Sequence, residues 1–257
     1  MSTTSAKGIT ARAPRTDLSA VDQALSNEAL NIRNTIASGG APKISISRAG
    51  QFTGPDGLDM GTEIRGVVVD YISANRYYPH VFDAANPLPP VCFSFGKNLN
   101  EMAPDELAPE PQADACSTCE MNQWGSKGKG KACKNTRELA FILEEDLEAE
   151  EPKLYLISVP PTAIKSFDAF ANLCSRVLSG PPIKAIVTIK AVPQGTYTTM
   201  VFADPDNNPN YAEHFALRDE GVALISQLPN LDNYVPSPQA RLAAKQAAAP
   251  AARPRAR

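Results

Sequence analysis

The chain has 257 residues, 43% of them hydrophobic, with 25 Lys and Arg against 28 Asp and Glu and a formal charge of -3. That length buries one large core or two small ones, and the near balance of charge excludes a uniformly basic protein. MSTTSAKGITARAPRTDL at the N-terminus lacks the apolar stretch of a signal peptide, and no run approaches the roughly 18 apolar residues of a membrane span, so the expectation is a cytoplasmic protein with no membrane partner.

Residues 1–40 are rich in Ser, Thr, Ala and Asn, with one weak helical pattern around Leu18 to Ile36, and read as a flexible arm. From Pro42 the texture changes to short β-branched and aromatic segments, PKISIS, TEIRGVVVDYIS, RYYPHVF and VCFSFG, separated by turn signals such as Gly54-Pro55-Asp56-Gly57 and Asn86-Pro87. These predict a meander of antiparallel strands. Residues 97–138 interrupt it with prolines and few apolar side chains, and strand texture resumes in LAFILEE and KLYLISV, so the interruption reads as an insertion between two strands of one sheet. Ile164, Phe167, Ala171, Cys174 and Leu178 recur at helical spacing, which predicts a helix capped by Thr162 and stopped near Ser179 by Gly180-Pro181-Pro182. Two further strands, IKAIVTIKAV and TYTTMVFAD, turn at Pro193-Gln194-Gly195, and a helix from about Asn210 to Leu228 follows. Residues 231–257 end in a basic Ala/Pro-rich stretch and read as a disordered tail. Many short strands without a strand-helix alternation predict a mainly β fold, an OB-like antiparallel barrel over residues 41–230 with an inserted finger at 97–138.

The stretch CSTCEMNQWGSKGKGKACK, residues 116–134, concentrates three of the five cysteines, the only tryptophan and a run of lysines. Gly125 to Lys131 matches G-x4-G-K, but Ala132 stands where a phosphate loop needs a hydroxyl for magnesium, and no buried strand leads into it. A redox dithiol at Cys116 and Cys119 lacks a neighbouring βαβ unit and leaves Cys133 without a role. A tetrahedral zinc site explains more: Cys116 and Cys119 have knuckle spacing and Cys133 returns within the range of structural sites. The fourth ligand is expected to be Cys92, at the end of the preceding strand, with His80 as the alternative; Cys92 also suits a buried strand position. The insertion's few large apolar side chains offer little area to order it, whereas structural zinc supplies on the order of 10 to 16 kcal/mol. The finger is therefore expected to be disordered without metal.

Between its ligands the finger presents Trp124, Lys127, Lys129 and Lys131, followed by Lys134 and Arg137 with no acid from 127 to 137. Glycine permits close approach, lysine neutralises phosphate, and an indole stacks on a base or else packs over the zinc knuckle. Arg76, Tyr77 and Tyr78, with Tyr71 nearby, are further candidates, since OB barrels bind single strands on aromatic side chains in a basic groove; each tyrosine equally suits a half-buried core position.

The block Cys116-x2-Cys119-x2-Asn122-x-Trp124-Gly125-Ser126, then Gly130-Lys131-Ala132-Cys133-Lys134, with Pro160-Pro161-Thr162-x2-Lys165-Ser166-Phe167 further on, resembles tailed-bacteriophage zinc-containing single-stranded DNA-binding proteins over about residues 42 to 230. The resemblance implies metal ligation by Cys116, Cys119 and Cys133 and leaves the fourth ligand open. It also implies a place in a host cell's cytoplasm and a partnership with replication or recombination proteins. One departure stands out: many single-strand binders end in an acidic recruiting tail, and this one is basic.

The leading expectation is a non-catalytic, sequence-independent single-stranded DNA-binding protein of phage replication or recombination. The alternative is a zinc-finger adaptor for a polymerase or other replication or transcription protein, with the acidic run from Glu144 to Glu151 as its contact. An enzyme is not expected: His80 and His214 are the only histidines, neither in a catalytic context, and four thiolates would leave no open metal position. The stretch Asp204 to Asn210 mimics a calcium loop but has Pro209 at the turn glycine and Phe215 at the bidentate Glu, and reads as a loop.

Overall fold

The computed structural model describes residues 42–83 and 85–242. The expected arm at 1–40 with its weak helical pattern, and residues 243–257 of the expected tail, lie outside them.

Nine strands form one sheet: β1 (Lys43–Ile46), β2 (Phe52–Thr53), β3 (Asp59–Gly61), β4 (Glu63–Tyr77), β5 (Cys92–Gly96), β6 (Cys133–Leu143), β7 (Tyr155–Val159), β8 (Ala185–Pro193) and β9 (Thr198–Asn207). Their order is β3-β2-β1-β7-β6-β4-β8-β9, with β5 also on β4. All pairs are antiparallel except β1 with β7. The β1–β2 turn meets the far end of the sheet, where the Thr198 hydroxyl is shared between the Ser47 and Arg48 carbonyls at 2.9 Å. The result is a mainly β fold, a curled half-barrel with few helices, whose path ends at β3 and β9 without pairing them to each other.

β4 organises the molecule. One side pairs with β6 over almost its whole length, and the other takes β8 at residues 63–67 and β5 at 73–77. A bulge between Val68 and Asp70 switches which side chains face inward. Before it, Ile64 and Val68 point to the concave core; after it, Tyr71 joins that side while Ile72 joins the convex cluster of Val67 and Val69. Gly66 lets β4 and β6 close up, because a Cβ there would sit 2.0 Å from the Ile142 carbonyl oxygen and 2.8 Å from the Phe141 ring.

Helix α1 (Ile164–Val177) fills the concave face with Phe167, Phe170 and Cys174. The Phe167 ring meets Tyr71 at 4.8 Å and Phe202 at 5.2 Å, both edge-on. The helix starts after Ala163 with no side-chain cap, so Thr162 does not play the expected part. Covering the convex face, α3 (Arg218–Ile225) brings Gly221 against Ala140 of β6. The single helix expected from Asn210 to Leu228 is divided at Leu217 into α2 (Tyr211–Ala216) and α3. Two anchors separate them: buried His214 is fixed by Asn208 and the Leu147 carbonyl at 3.0 Å each, while Arg218 donates to the Asp70 carboxylate at 2.9 Å.

Three other expectations change. RYYPHVF is no separate strand: β4 runs on through Tyr77, and Pro79 lies in the irregular segment that follows. The stretch expected to be a loop at Asp204 carries β9 to Asn207, with Asp204 at φ +49° where the register with β8 shifts. The tail's first residues are packed: Tyr234 Oη and the Ser237 amide donate to the Glu110 carboxylate at 2.6 and 2.7 Å, and His80 Nε2 lies 3.2 Å from the Val235 carbonyl.

Candidate functional site: a four-cysteine knuckle under a basic hairpin

Residues 97–132 form the insertion between β5 and β6. It follows the outer edge of β5, where the Asp105 amide donates to Phe93 and the Glu110 amide to Val91, each at 2.8 Å. Buried Met102 anchors it under Asn75, and its carbonyl accepts the Cys116 amide at 2.8 Å.

The sheet register brings distant cysteines together. Tyr77 on β4 pairs with Cys92 on β5 and with Cys133 on β6, so all three side chains share one face. Cys116 and Cys119 close over that face from the insertion. All four sulfur residues line one cavity of about 20 Å³, together with Asn75, Tyr77 and Met121. His80 is not among the lining residues, which leaves Cys92 as the fourth member of the cluster. Burial pushes the Cys133 thiol up to about 12, and Cys92, Cys116 and Cys119 add to the shift while Lys131 opposes it. Cys92 is raised for the same reasons, burial first. As placed, the sulfurs do not make a ligand set: among the described residues no group of three or more His, Cys, Asp or Glu is positioned to hold a metal ion. The strand register brings Cys92 and Cys133 together opposite Tyr77, and the insertion adds Cys116 and Cys119 to the same cavity. The Cys116 sulfur lies 3.2 Å from the Ser94 hydroxyl.

A polar lattice that the sequence did not announce supports the cluster. Asn135 donates to Asn75 across the β4–β6 pair and, at 3.0 Å, to the Asn122 side-chain oxygen, which also accepts Lys131 Nζ at 3.3 Å. Asn122 in turn donates to the Cys116 carbonyl at 2.8 Å. Above the knuckle the Lys/Gly run is a tight hairpin in which Lys127 and Gly130 exchange backbone bonds at 3.2 and 3.0 Å, with Gly128 at φ +61°. Lys127 and Lys129 are exposed, and Trp124 is 78% exposed with Lys131 Nζ 6.0 Å from its ring, so the indole does not form a mini-core over the knuckle.

The strand-borne candidates divide. Lys134 is exposed and lies 5.2 Å over the half-buried Tyr78 ring. Tyr77 is 9% exposed, packed under the cysteines, and is no surface platform. Arg137 is 7% exposed and ion-paired to Asp168 of α1 at 3.3 Å. Arg76 lies on the opposite face, 2.6 Å from Glu138. Burial alone would raise the Glu138 pKa, but the Arg76 charge and hydrogen bonds from Ser158, Arg76 and Thr136 hold it below the usual range. Arg137 and Arg76 are thus committed inside the fold. Val81 and Phe82, expected in a strand, are instead 95% and 77% exposed in the segment after β4.

Comparison with protein-family models, with curated proteins and with solved structures finds no match. No described helix is long and apolar enough to cross a membrane.

Proposed function

We propose that this chain binds single-stranded DNA without sequence preference, as a non-catalytic zinc-containing protein of phage replication or recombination built on an OB-like sheet. The observation that carries the reading is the junction itself: four cysteines from three places in the chain converge on one cavity, which Asn122 joins through Lys131 to a hairpin that presents Lys127, Lys129 and an exposed Trp124. The donor set fits zinc, since four sulfurs and a cavity the size of a single small sphere suit a closed tetrahedral structural site. Cys92, Cys116, Cys119 and Cys133 would hold the ion as thiolates. Zinc there supplies folding free energy to the finger and releases the thiol protons. The protein's own groups do the rest. The asparagine lattice orients the knuckle, the lysines neutralise phosphates, and the indole stacks on a base.

The test is metal analysis combined with anisotropy titration of labelled oligo-dT and of duplex of equal length, with and without chelator. Expected are one zinc per chain, preference for the single strand, and a log K against log salt slope of about -3 if four phosphates are neutralised. Lys129→Glu with Lys131→Glu should weaken all sequences alike and flatten the slope by about 1.4. A slope near zero for the unaltered protein overturns the reading.

A second reading, an adaptor for a replication or transcription protein, draws on the opposite end of β4. There an open groove of about 640 Å³ is lined by Asp56, Asp59, Glu63, Glu144 and Glu145 beside exposed Leu58. Capture of a polymerase by a protein that ignores oligonucleotides would select it.

A further inference from the structure

The segment that leaves β4 after Tyr77 does not line the cysteine cavity, yet it carries Val81, the most exposed large apolar side chain among the described residues, and Phe82 beside it. Its base is fixed. The Val91 amide donates to the Tyr77 carbonyl at 3.0 Å, and His80 is held at the Val235 carbonyl. Its outer part is bare: Val81 and Phe82 keep 95% and 77% of their surface. Exposed apolar side chains are ordinary on a protein surface when they stand alone, so what gives these two adjacent ones a role is the charge around them.

What covers it is argued from charge. The segment departs from the end of the sheet where Tyr77 meets both Cys92 and Cys133, the residues that begin the strands on either side of the finger. Lys134 links the two, because it follows Cys133 and its Nζ lies over the ring of Tyr78, four residues before Phe82. An extended chain advances at most about 3.6 Å per residue, which keeps Phe82 within about 14 Å of Tyr78 along the backbone. Lys127, Lys129, Lys131 and Lys134 form no ion pair with a carboxylate among the described residues. Asp83, the one acid between Tyr78 and Val91, turns back on the Ala85 amide at 2.9 Å. Exposed rings beside unneutralised ammonium groups match a polyanion with aromatic faces, where a phosphate meets a lysine while its base stacks on a ring.

We propose that Phe82 is a second base-stacking platform, which with Trp124 brackets a single-stranded nucleic acid across this end of the sheet. The inference rests on the single-strand reading above and adds a residue to it. Val81 and Phe82 supply the apolar contact; Lys127, Lys129, Lys131 and Lys134 take the phosphates.

The test uses the full chain and labelled oligo-dT. Phe82→Ala should leave the melting temperature unchanged and weaken binding about 5- to 100-fold, comparable to Trp124→Ala. Because the chain has a single tryptophan, Trp124→Phe with Phe82→Trp places the only indole on this segment, and its fluorescence should be quenched on addition of oligo-dT. Unaltered binding by Phe82→Ala together with unquenched fluorescence overturns the inference while leaving the single-strand reading intact. If the unaltered chain fails to bind oligo-dT, that reading falls and this one with it. Sedimentation completes the test: a self-associated chain that Phe82→Ala makes monomeric would assign the ring to a second copy and overturn the proposal.

Discussion

The two halves of β4 are held in place by different chemistry. Up to the bulge it is gripped by apolar side chains on both faces, with Phe141, Phe167 and Ile189 on one side and Ile142, Ile183 and Ile225 among those on the other. Beyond Asp70 its concave face meets Arg137, then the asparagine lattice, then sulfur. Burial of apolar area at about 25 cal/mol per Å² stabilises the first half by itself. The second half keeps apolar contacts at Ile72, Ala74 and Phe93 and adds polar groups whose hydrogen bonds contribute about 1 kcal/mol each, net of what water would give. One strand therefore crosses from a region packed by apolar side chains on both faces to one where polar groups and the cysteine cavity meet it.

The largest effect should come from breaking the first region. Phe167 is fully buried and in ring contact with Tyr71, Phe170 and Phe202. Phe167→Ala should cost about 3 to 5 kcal/mol and lower the midpoint of thermal unfolding by on the order of 10 °C. Calorimetry on the full chain checks it. A loss under about 1 kcal/mol would mean that the α1 contact is not the main support of the concave core.

The second region should break locally and sharpen the contrast. If zinc joins the cysteines as proposed, Cys116→Ser or a chelator should release the metal and raise amide exchange in residues 97–132 and at the C-terminal end of β4. The half of β4 paired with β8 should keep its protection. Uniform exchange along the whole strand would show that the two halves are one cooperative unit and that the division is wrong.

The first region was also the more legible in the sequence. The helical spacing of Phe167, Ala171 and Cys174 identified α1, and β-branched runs located most strands, because apolar periodicity is itself the cause of such burial. The bulge was invisible, since GVVVDYIS is apolar enough on either side of it to fit any register. In the second region the knuckle spacing marked three cysteines and the sequence named Cys92 as a fourth, expected at a strand end; Cys92 instead starts β5, and only the register shows that it stands opposite Tyr77. Arg76 and Arg137 looked like surface cations because their partners are remote: Ser158 completes the cage around Glu138, and Asp168 comes from α1. Ion pairing between separate elements leaves no local pattern to read.

The smallest expected effect concerns the convex side of that same half, where Glu138 is 1% exposed. Its charge is balanced by Arg76 and by the hydroxyls of Thr136 and Ser158 at 2.7 and 2.6 Å. Burial opposes ionisation there, but Arg76 and the hydrogen bonds outweigh it and depress the folded-state pKa below the ordinary 4.5. A depressed carboxylate adds stability that is fully present above its unfolded-state value and is lost as pH falls through the folded-state value. Glu138 should thus contribute a constant amount at neutral pH and a declining one in the acid range below about 4.5. Glu138→Gln, which keeps the shape but not the charge, should lower stability at neutral pH and remove this residue's part of the acid slope. Unfolding midpoints of both proteins at pH 7 and in steps below pH 5 should therefore converge as the pH falls. A gap that stays constant or widens toward acid would mean that the Arg76–Glu138 pair is not what fixes the charge on this face, and that the polar half of β4 is held from the cysteine side alone.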